Sequence, residues 1–149
     1  MSELRDLYQE TILDHGKRPR NRGRLEDAES AVGRNPLCGD VVTVFVRTDG
    51  TTVEEVGFEG AGCAISTASA SMMTEALRGK SIAESRRLFQ AFHDMLTGKD
   101  QDEESSALLG KLIVFAGVRE FPIRVKCATL PWHTMRAALE HEQEPVSTE

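Results

Sequence analysis

Between Asn35 and Asp40 the chain reads Asn-Pro-Leu-Cys-Gly-Asp, which sets the thiol of Cys38 and the carboxylate of Asp40 two residues apart across a glycine. A soft sulfur and a hard oxygen so close together describe a metal site that is not saturated with sulfur. The only other thiols are Cys63 and Cys127. Cys63 follows Gly60-Ala61-Gly62 and opens a run of small residues, so it is expected at the start of a helix, where the positive end of the macrodipole favours the thiolate. Cys127 is expected to repeat that pattern just before a terminal helix, with Thr129 as its cap and Pro131 in its first turn. A free thiol with a pKa of about 8.5 is only about 3% ionised at pH 7, and three gathered thiolates would repel one another. A bound cation removes both difficulties. Cys38, Asp40, Cys63 and Cys127 make a three-sulfur, one-oxygen set suited to tetrahedral zinc. No Cys-x-x-Cys pair is present, and spacing alone leaves open the plainer reading of three small buried hydrophobes.

The elements that must carry these residues follow from pattern. Leu4, Leu7, Tyr8, Thr11 and Ile12 keep helical spacing from Ser2 to about Gly16. Residues 17–29 hold Pro, Gly and clustered charges without an apolar period and are read as a loop. Asp40 to Arg47 is rich in β-branched residues, and Asp49-Gly50 is a hairpin turn signal with a return strand from Thr52 to Glu59. Ala31 to Gly33 adds a short edge strand, giving a three-stranded antiparallel sheet. Thr67 to Leu77 reads as a helix stopped by Gly79. Ser81 with Glu84 forms a capping box for a further helix that carries Leu88, Phe89, Phe92, Met95 and Leu96, and His93 within it is read as a surface or packing residue. Lys99 to Ser106 reads as an acidic loop, Leu108 to Val118 as an apolar helix, and residues 142–149 as a flexible polar tail. The expected architecture is a single α+β domain over residues 1–149, with the small sheet packed against a set of helices.

Composition narrows the partners. At 149 residues with 40% apolar content the chain has enough material for its own core. A net charge of -6 argues against nucleic acid, and the longest apolar run, Leu112 to Val118, is too short to span a bilayer. The first residues carry no apolar leader, so the expected compartment is the cytoplasm, where an odd number of cysteines suits metal or thiol chemistry better than disulfides.

Three segments together resemble one family. Asn35-Pro36-Leu37-Cys38-Gly39-Asp40, Gly60-Ala61-Gly62-Cys63-Ala64-Ile65-Ser66 and Lys126-Cys127-Ala128-Thr129-Leu130 are similar to the signatures of the SufU proteins, the zinc-bearing branch of the IscU-like (NifU N-terminal) superfamily. Asp14-His15 and Pro19-Arg20-Asn21-Arg22-Gly23 resemble that family's N-terminal segment. In IscU-type scaffolds a histidine directly precedes the third cysteine, where this chain has Lys126, and the chaperone-docking Pro-Pro-Val-Lys is reduced to Phe121-Pro122-Ile123-Arg124. Both departures favour the sulfur-relay branch. The resemblance implies an IscU/SufU-like fold, zinc held by Cys38, Asp40, Cys63 and Cys127, and a zinc-dependent sulfurtransferase activity. In that activity Cys38 is the catalytic acceptor of persulfide sulfur from a SufS-type cysteine desulfurase, ahead of downstream Fe-S assembly proteins. It also implies that docking frees Cys38, with a histidine of the desulfurase taking its place at the ion. A scaffold for a 2Fe-2S cluster is the alternative, and a structural-zinc adaptor without sulfur chemistry is the alternative of another class. Residue chemistry by itself does not rank Cys38 above Cys127 as acceptor. Arg124 and Lys126 flank Cys127 and are either guides for an anionic persulfide or solvated charges.

Overall fold

The computed structural model describes residues 2–99, 102–141 and 146–147, the side chains of residues 2–7 and Ala61 excepted. Helix α1 spans Ser2–Lys17, strands β1, β2 and β3 span Glu29–Asn35, Asp40–Thr48 and Val53–Ala61, and helices α2 and α3 span Ala64–Leu77 and Ile82–Leu96. Helix α4 covers Glu103–Leu109 and runs into a 3₁₀ segment, Gly110–Glu120, before helix α5, Pro122–Leu139, and a short strand β4, Val146–Ser147.

The sheet has the order β3-β2-β1-β4. On β2, Val42, Val44 and Val46 point into the core with Val56 and Phe58 of β3, as strand alternation requires, and Val53 joins them across a register shift opposite Arg47 and Thr48. Helices α2 and α5 cover that face. Their contribution includes Ala68, Met72, Met73 and Leu77 from α2, and Ala128, Leu130, Trp132 and Met135 from α5. Helix α5 lies so close to β1 that a Cβ on Gly33 would overlap the Thr134 hydroxyl and meet Leu130 Cδ1 at 3.0 Å. Helix α3 starts with the capping box foreseen from Ser81 and Glu84, with Glu84 N donating to Ser81 Oγ at 3.0 Å and Ser81 N to Glu84 Oε1 at 3.3 Å.

The fold differs from the sequence reading in three places. The sheet has four strands rather than three. Val146 and Ser147 pair in parallel with Gly33 and Arg34, filling an edge of β1 that would otherwise offer unpaired backbone groups. Val146 also packs against the core, and a two-residue strand has no period to read in advance. The rest of the expected tail, 142–145 and 148–149, lies outside the described residues.

The second difference concerns α5, which starts at Phe121-Pro122, not at Thr129. Cys127 therefore sits inside a helix, and Thr129 is no cap, its hydroxyl donating back to Val125 O at 2.9 Å. Pro131 is interior to this helix and has no N–H for the carbonyl four residues earlier, which belongs to Cys127. Burial of Cys127, Ala128, Leu130, Trp132, Met135 and Ala138 along the helix outweighs that missing rung.

Third, the acidic stretch contains α4, whose N-cap Asp102 accepts from Ser105 N at 2.7 Å. Residues 100 and 101 of that stretch lie outside the described residues. The apolar stretch after it is mostly the 3₁₀ segment. Of the expected loop 17–29, residues 18–28 are irregular, Lys17 ending α1 and Glu29 opening β1, and the loop is pinned to β3: Gly23 N donates to Phe58 O at 2.7 Å, and Arg22 reaches Gly60 O at 3.0 Å. This loop protects the outer edge of β3.

Candidate metal centre

The site lies where the end of β1, the start of β2, the start of α2 and the second turn of α5 meet. Asn35 closes β1, and its carbonyl accepts from Cys38 N at 3.2 Å and Gly39 N at 2.9 Å, folding the loop back on itself. Gly39 takes φ +74°, a conformation that favours glycine, and this lets the chain turn from Cys38 into β2. Asp40, the first residue of β2, is only 2% exposed and points across to α2, where its Oδ1 accepts from Cys63 N at 2.9 Å. Cys63 is the N-cap of α2, its sulfur accepting from Ser66 N at 3.4 Å, so the expectation of a thiol at a helix start holds there.

Three ligand atoms converge, with a fourth, that of Cys63, beside one of them. Cys38 Sγ lies 3.1 Å from Cys127 Sγ, and Cys63 Sγ lies 3.8 Å from Asp40 Oδ2. The ligand atoms of Cys38, Asp40 and Cys127 all fall within 4.8 Å of one another. Tetrahedral zinc with Zn–S near 2.3 Å and Zn–O near 2.0 Å has ligand-to-ligand edges of about 3.5–3.8 Å. The sulfur pair is closer than such an edge and the Cys63–Asp40 pair is close to one, so these two contacts are of the size that a tetrahedral ion requires. The structure thus gathers Cys38, Asp40 and Cys127 tightly and sets Cys63 at the side of Asp40.

Charge and burial explain why a cation belongs there. Burial pushes the Cys127 thiol far up, and its hydrogen bond with Cys38 and the negative charge of Cys63 push it further. Such a sulfur ionises at neutral pH only beside a positive charge. Arg124, one turn earlier on α5, has its guanidinium held more firmly protonated by interaction with Cys63 and then Cys127, so a cationic side chain stands beside these two residues.

One contributor was missed by sequence reasoning. Asn35 Nδ2 points at two sulfurs, Cys38 at 3.5 Å and Cys127 at 3.9 Å, and the residue is fully buried. Its place three residues before Cys38 was the available signal, since an Asn-Pro turn next to a thiol brings the amide within reach. His93 packs as expected, its ring 6.1 Å from that of Phe89 and 5.7 Å from that of His133.

Comparison with known proteins gives the family to which the chain belongs. Residues 7–128 match the family model described as "NifU-like N terminal domain". The chain is 43% identical over 142 residues, 95% of both chains, to the "Zinc-dependent sulfurtransferase SufU" of Bacillus subtilis. It is also 41% identical over 140 residues to the "Iron-sulfur cluster assembly scaffold protein IscU" of Streptococcus pyogenes, covering 94% of this chain and 87% of that one. Among solved structures, a putative iron-sulfur cluster assembly scaffold protein for the SUF system from Fervidobacterium islandicum superposes with a TM-score of 0.82 at 40% identity, covering 87% of this chain and 94% of that one. With the family model and the full-length relatives in agreement, the chain belongs to the NifU N-terminal (IscU/SufU-like) family of iron-sulfur cluster assembly proteins.

Proposed function

We propose that this protein is a sulfur relay: Cys38 accepts sulfane sulfur from a cysteine desulfurase and hands it on for iron-sulfur cluster assembly, with zinc held by Cys38, Asp40, Cys63 and Cys127. The observation that carries this reading is the unequal reach of the three thiols. Cys127 is fully buried, whereas Cys38 is half-exposed on a glycine loop beside Leu37, which is 65% exposed. Cys63 is half-exposed too, but its sulfur is engaged as the cap of α2. Cys38 is therefore the thiol an incoming persulfide meets first.

The transfer is a thiol exchange. The Cys38 thiolate attacks the outer sulfur of the donor persulfide, the new bond joins Cys38 Sγ to that sulfur, the donor S–S bond breaks, and the donor cysteine leaves as its thiolate. Arg124 faces the anion at the mouth of the cluster. Asn35 donates to the sulfur of Cys38 and holds its loop. Asp40 fixes Cys63 through the backbone N–H. Zinc, when bound, keeps its sulfur ligands deprotonated at neutral pH. Leu37, Phe121 and Ile123, the latter two each 60% exposed, lie in the segments that lead into Cys38 and Cys127 and give the donor an apolar rim to dock on.

A cluster scaffold is the second reading, favoured by the 41% identity to a protein named as one. One experiment separates the readings. The protein is purified anaerobically, its zinc and iron are counted, and alanine production by a SufS-type desulfurase is followed with and without it. Bound zinc with faster alanine production and labile sulfur located on Cys38 by mass spectrometry is the expected result. Iron with acid-labile sulfide would favour the scaffold, and zinc without acceleration would leave only an adaptor. Labile sulfur on Cys127 in the Cys38→Ala variant, at wild-type yield, would overturn the assignment of Cys38.

A further inference from the structure

Two of the thiols are placed by how one helix lies on another. Cys63 caps α2 and Cys127 belongs to α5, so the distance between their sulfurs is set by the packing of α5 on α2. At the turn bearing Cys127 the ladder of α5 lacks a rung, because Pro131 has no N–H for the Cys127 carbonyl. The adjoining carbonyl, that of Ala128, is gripped from outside the helix. Ser69 of α2, fully buried, donates its hydroxyl to Ala128 O at 2.5 Å and accepts from Trp132 Nε1 at 3.1 Å. Trp132 is itself fully buried and stacks on Phe92 with ring centroids 4.7 Å apart, so the indole that completes the bridge is packed on its face. One hydroxyl thus spans the two helices with its proton and a lone pair both used, at the residue next to a sulfur ligand.

We propose that Ser69, with Trp132 behind it, is the positioning residue that fixes Cys127 against Cys63 for metal binding. This rests on the reading of the four residues as a metal site. Ser69 touches neither the ion nor sulfur; it acts through the Ala128 carbonyl. Without its hydroxyl, the weakened turn of α5 is free to shift along α2, and the Cys127 sulfur moves with it. Another buried serine on the same helix gives the contrast. Ser71, also fully buried, faces α1 and the loop after it, accepting from Arg20 N of that loop at 2.8 Å and bonded to His15 Nδ1 of α1 at 2.7 Å. Its loss loosens the fold without touching the α2–α5 bridge.

The test uses the full chain and two probe ions. Zinc affinity is measured by competition with a chromophoric chelator, tetrahedral geometry by the visible spectrum of the Co2+-substituted protein, and stability by the melting of each variant freed of metal. Ser69→Ala is expected to weaken zinc binding by about tenfold, the order seen when groups that orient ligands are lost, and to lower the intensity of the cobalt bands. Trp132→Phe, which keeps the stacked ring and loses only the N–H, is expected to weaken it by about threefold. Ser71→Ala is expected to melt earlier with zinc affinity and cobalt spectrum unchanged. Wild-type affinity and spectrum in Ser69→Ala would overturn the proposal, as would an equal loss of affinity in Ser71→Ala. Should Ser69→Ala fail to fold, unchanged affinity in Trp132→Phe overturns it alone. A wild-type protein that binds zinc no better than Cys63→Ser would instead overturn the metal site itself.

Discussion

Asp40 carries two duties that a pair of substitutions can separate. Its carboxylate faces the sulfurs of the cluster, and its Oδ1 accepts the backbone N–H of Cys63, tying the start of β2 to the start of α2. An amide at this position keeps an oxygen for that N–H but removes the negative charge that a hard ligand contributes. Asp40→Asn is therefore expected to melt close to wild type when both are metal-free, while binding zinc at least about tenfold more weakly. Asp40→Ala removes both, leaves Cys63 N without its partner, and is expected to lose about 1–2 kcal/mol of stability besides. Calorimetry of the metal-free proteins beside zinc competition reads the two effects apart. Zinc affinity in Asp40→Asn equal to that of the wild type would remove Asp40 from the ligand set.

At the scale of elements, what was legible in the sequence is what local chemistry fixes. Ser81 and Glu84 declare the start of α3 because each satisfies the other's neighbouring backbone N–H, and Asp49-Gly50 declares the β2–β3 turn because few other residues accept that backbone. Cys63 was legible as an N-cap for the same local reason. Helix α5 was not. Its first turns, Pro122 to Lys126, are largely exposed, with only Val125 packed against the core, so no apolar stripe announces them, and Pro131 mimics a helix start while sitting in a helix interior, where burial overrides it. The pairing of β4 with β1 was hidden likewise, since register between segments far apart in sequence leaves no local period. The site was legible in residue type but not in depth, because burial of Cys127 against exposure of Cys38 depends on where α5 begins. Gly33 tests the close approach behind that difference. A methyl group there would overlap the hydroxyl of Thr134 and crowd Leu130, so β1 and α5 would have to separate. Gly33→Ala is expected to lose about 1–3 kcal/mol and, since Asn35 follows two residues later on β1, to weaken zinc binding. Gly33→Ala with Thr134→Ala is expected to recover most of the stability in a denaturant titration; no recovery would place the strain elsewhere.

For the molecule as a whole, the sheet and the α2–α5 layer form a continuous core that does not pass through the metal cluster, so zinc is expected to add to the stability of a fold that already stands. With free zinc a hundredfold above its Kd the contribution is about 2.7 kcal/mol, or about 5–11 °C in Tm for a chain of this size. An unchanged melting curve after verified chelation would show that the ion contributes nothing to the folded state. Acid acts through a different group at the other side of α5. His133 is packed against Phe89, with ring centroids 5.1 Å apart, and against His93 at 5.7 Å. Burial first, then the nearby Arg136 and His93, lower its pKa from 6.5 to about 4. A folded-state pKa below the unfolded one means that the unfolded chain binds the proton more readily. The stability His133 permits is therefore complete above about pH 6.5 and is lost as the pH falls toward 4. After allowance for the part of the ring that remains in solvent, the loss is about 2 kcal/mol by pH 4.5. His15, buried between α1 and α2 and shifted the same way chiefly by burial, adds to the loss with the same sign. Measured on the metal-free proteins, the comparison of wild type with a His133 variant carries no contribution from metal release in acid. His133→Gln is therefore expected to melt below wild type at pH 7.5 for lack of the ring packing, and the gap should narrow as the pH falls from 6.5 to 4.5. A gap that stayed constant over that interval would mean that His133 does not resist protonation in the folded protein.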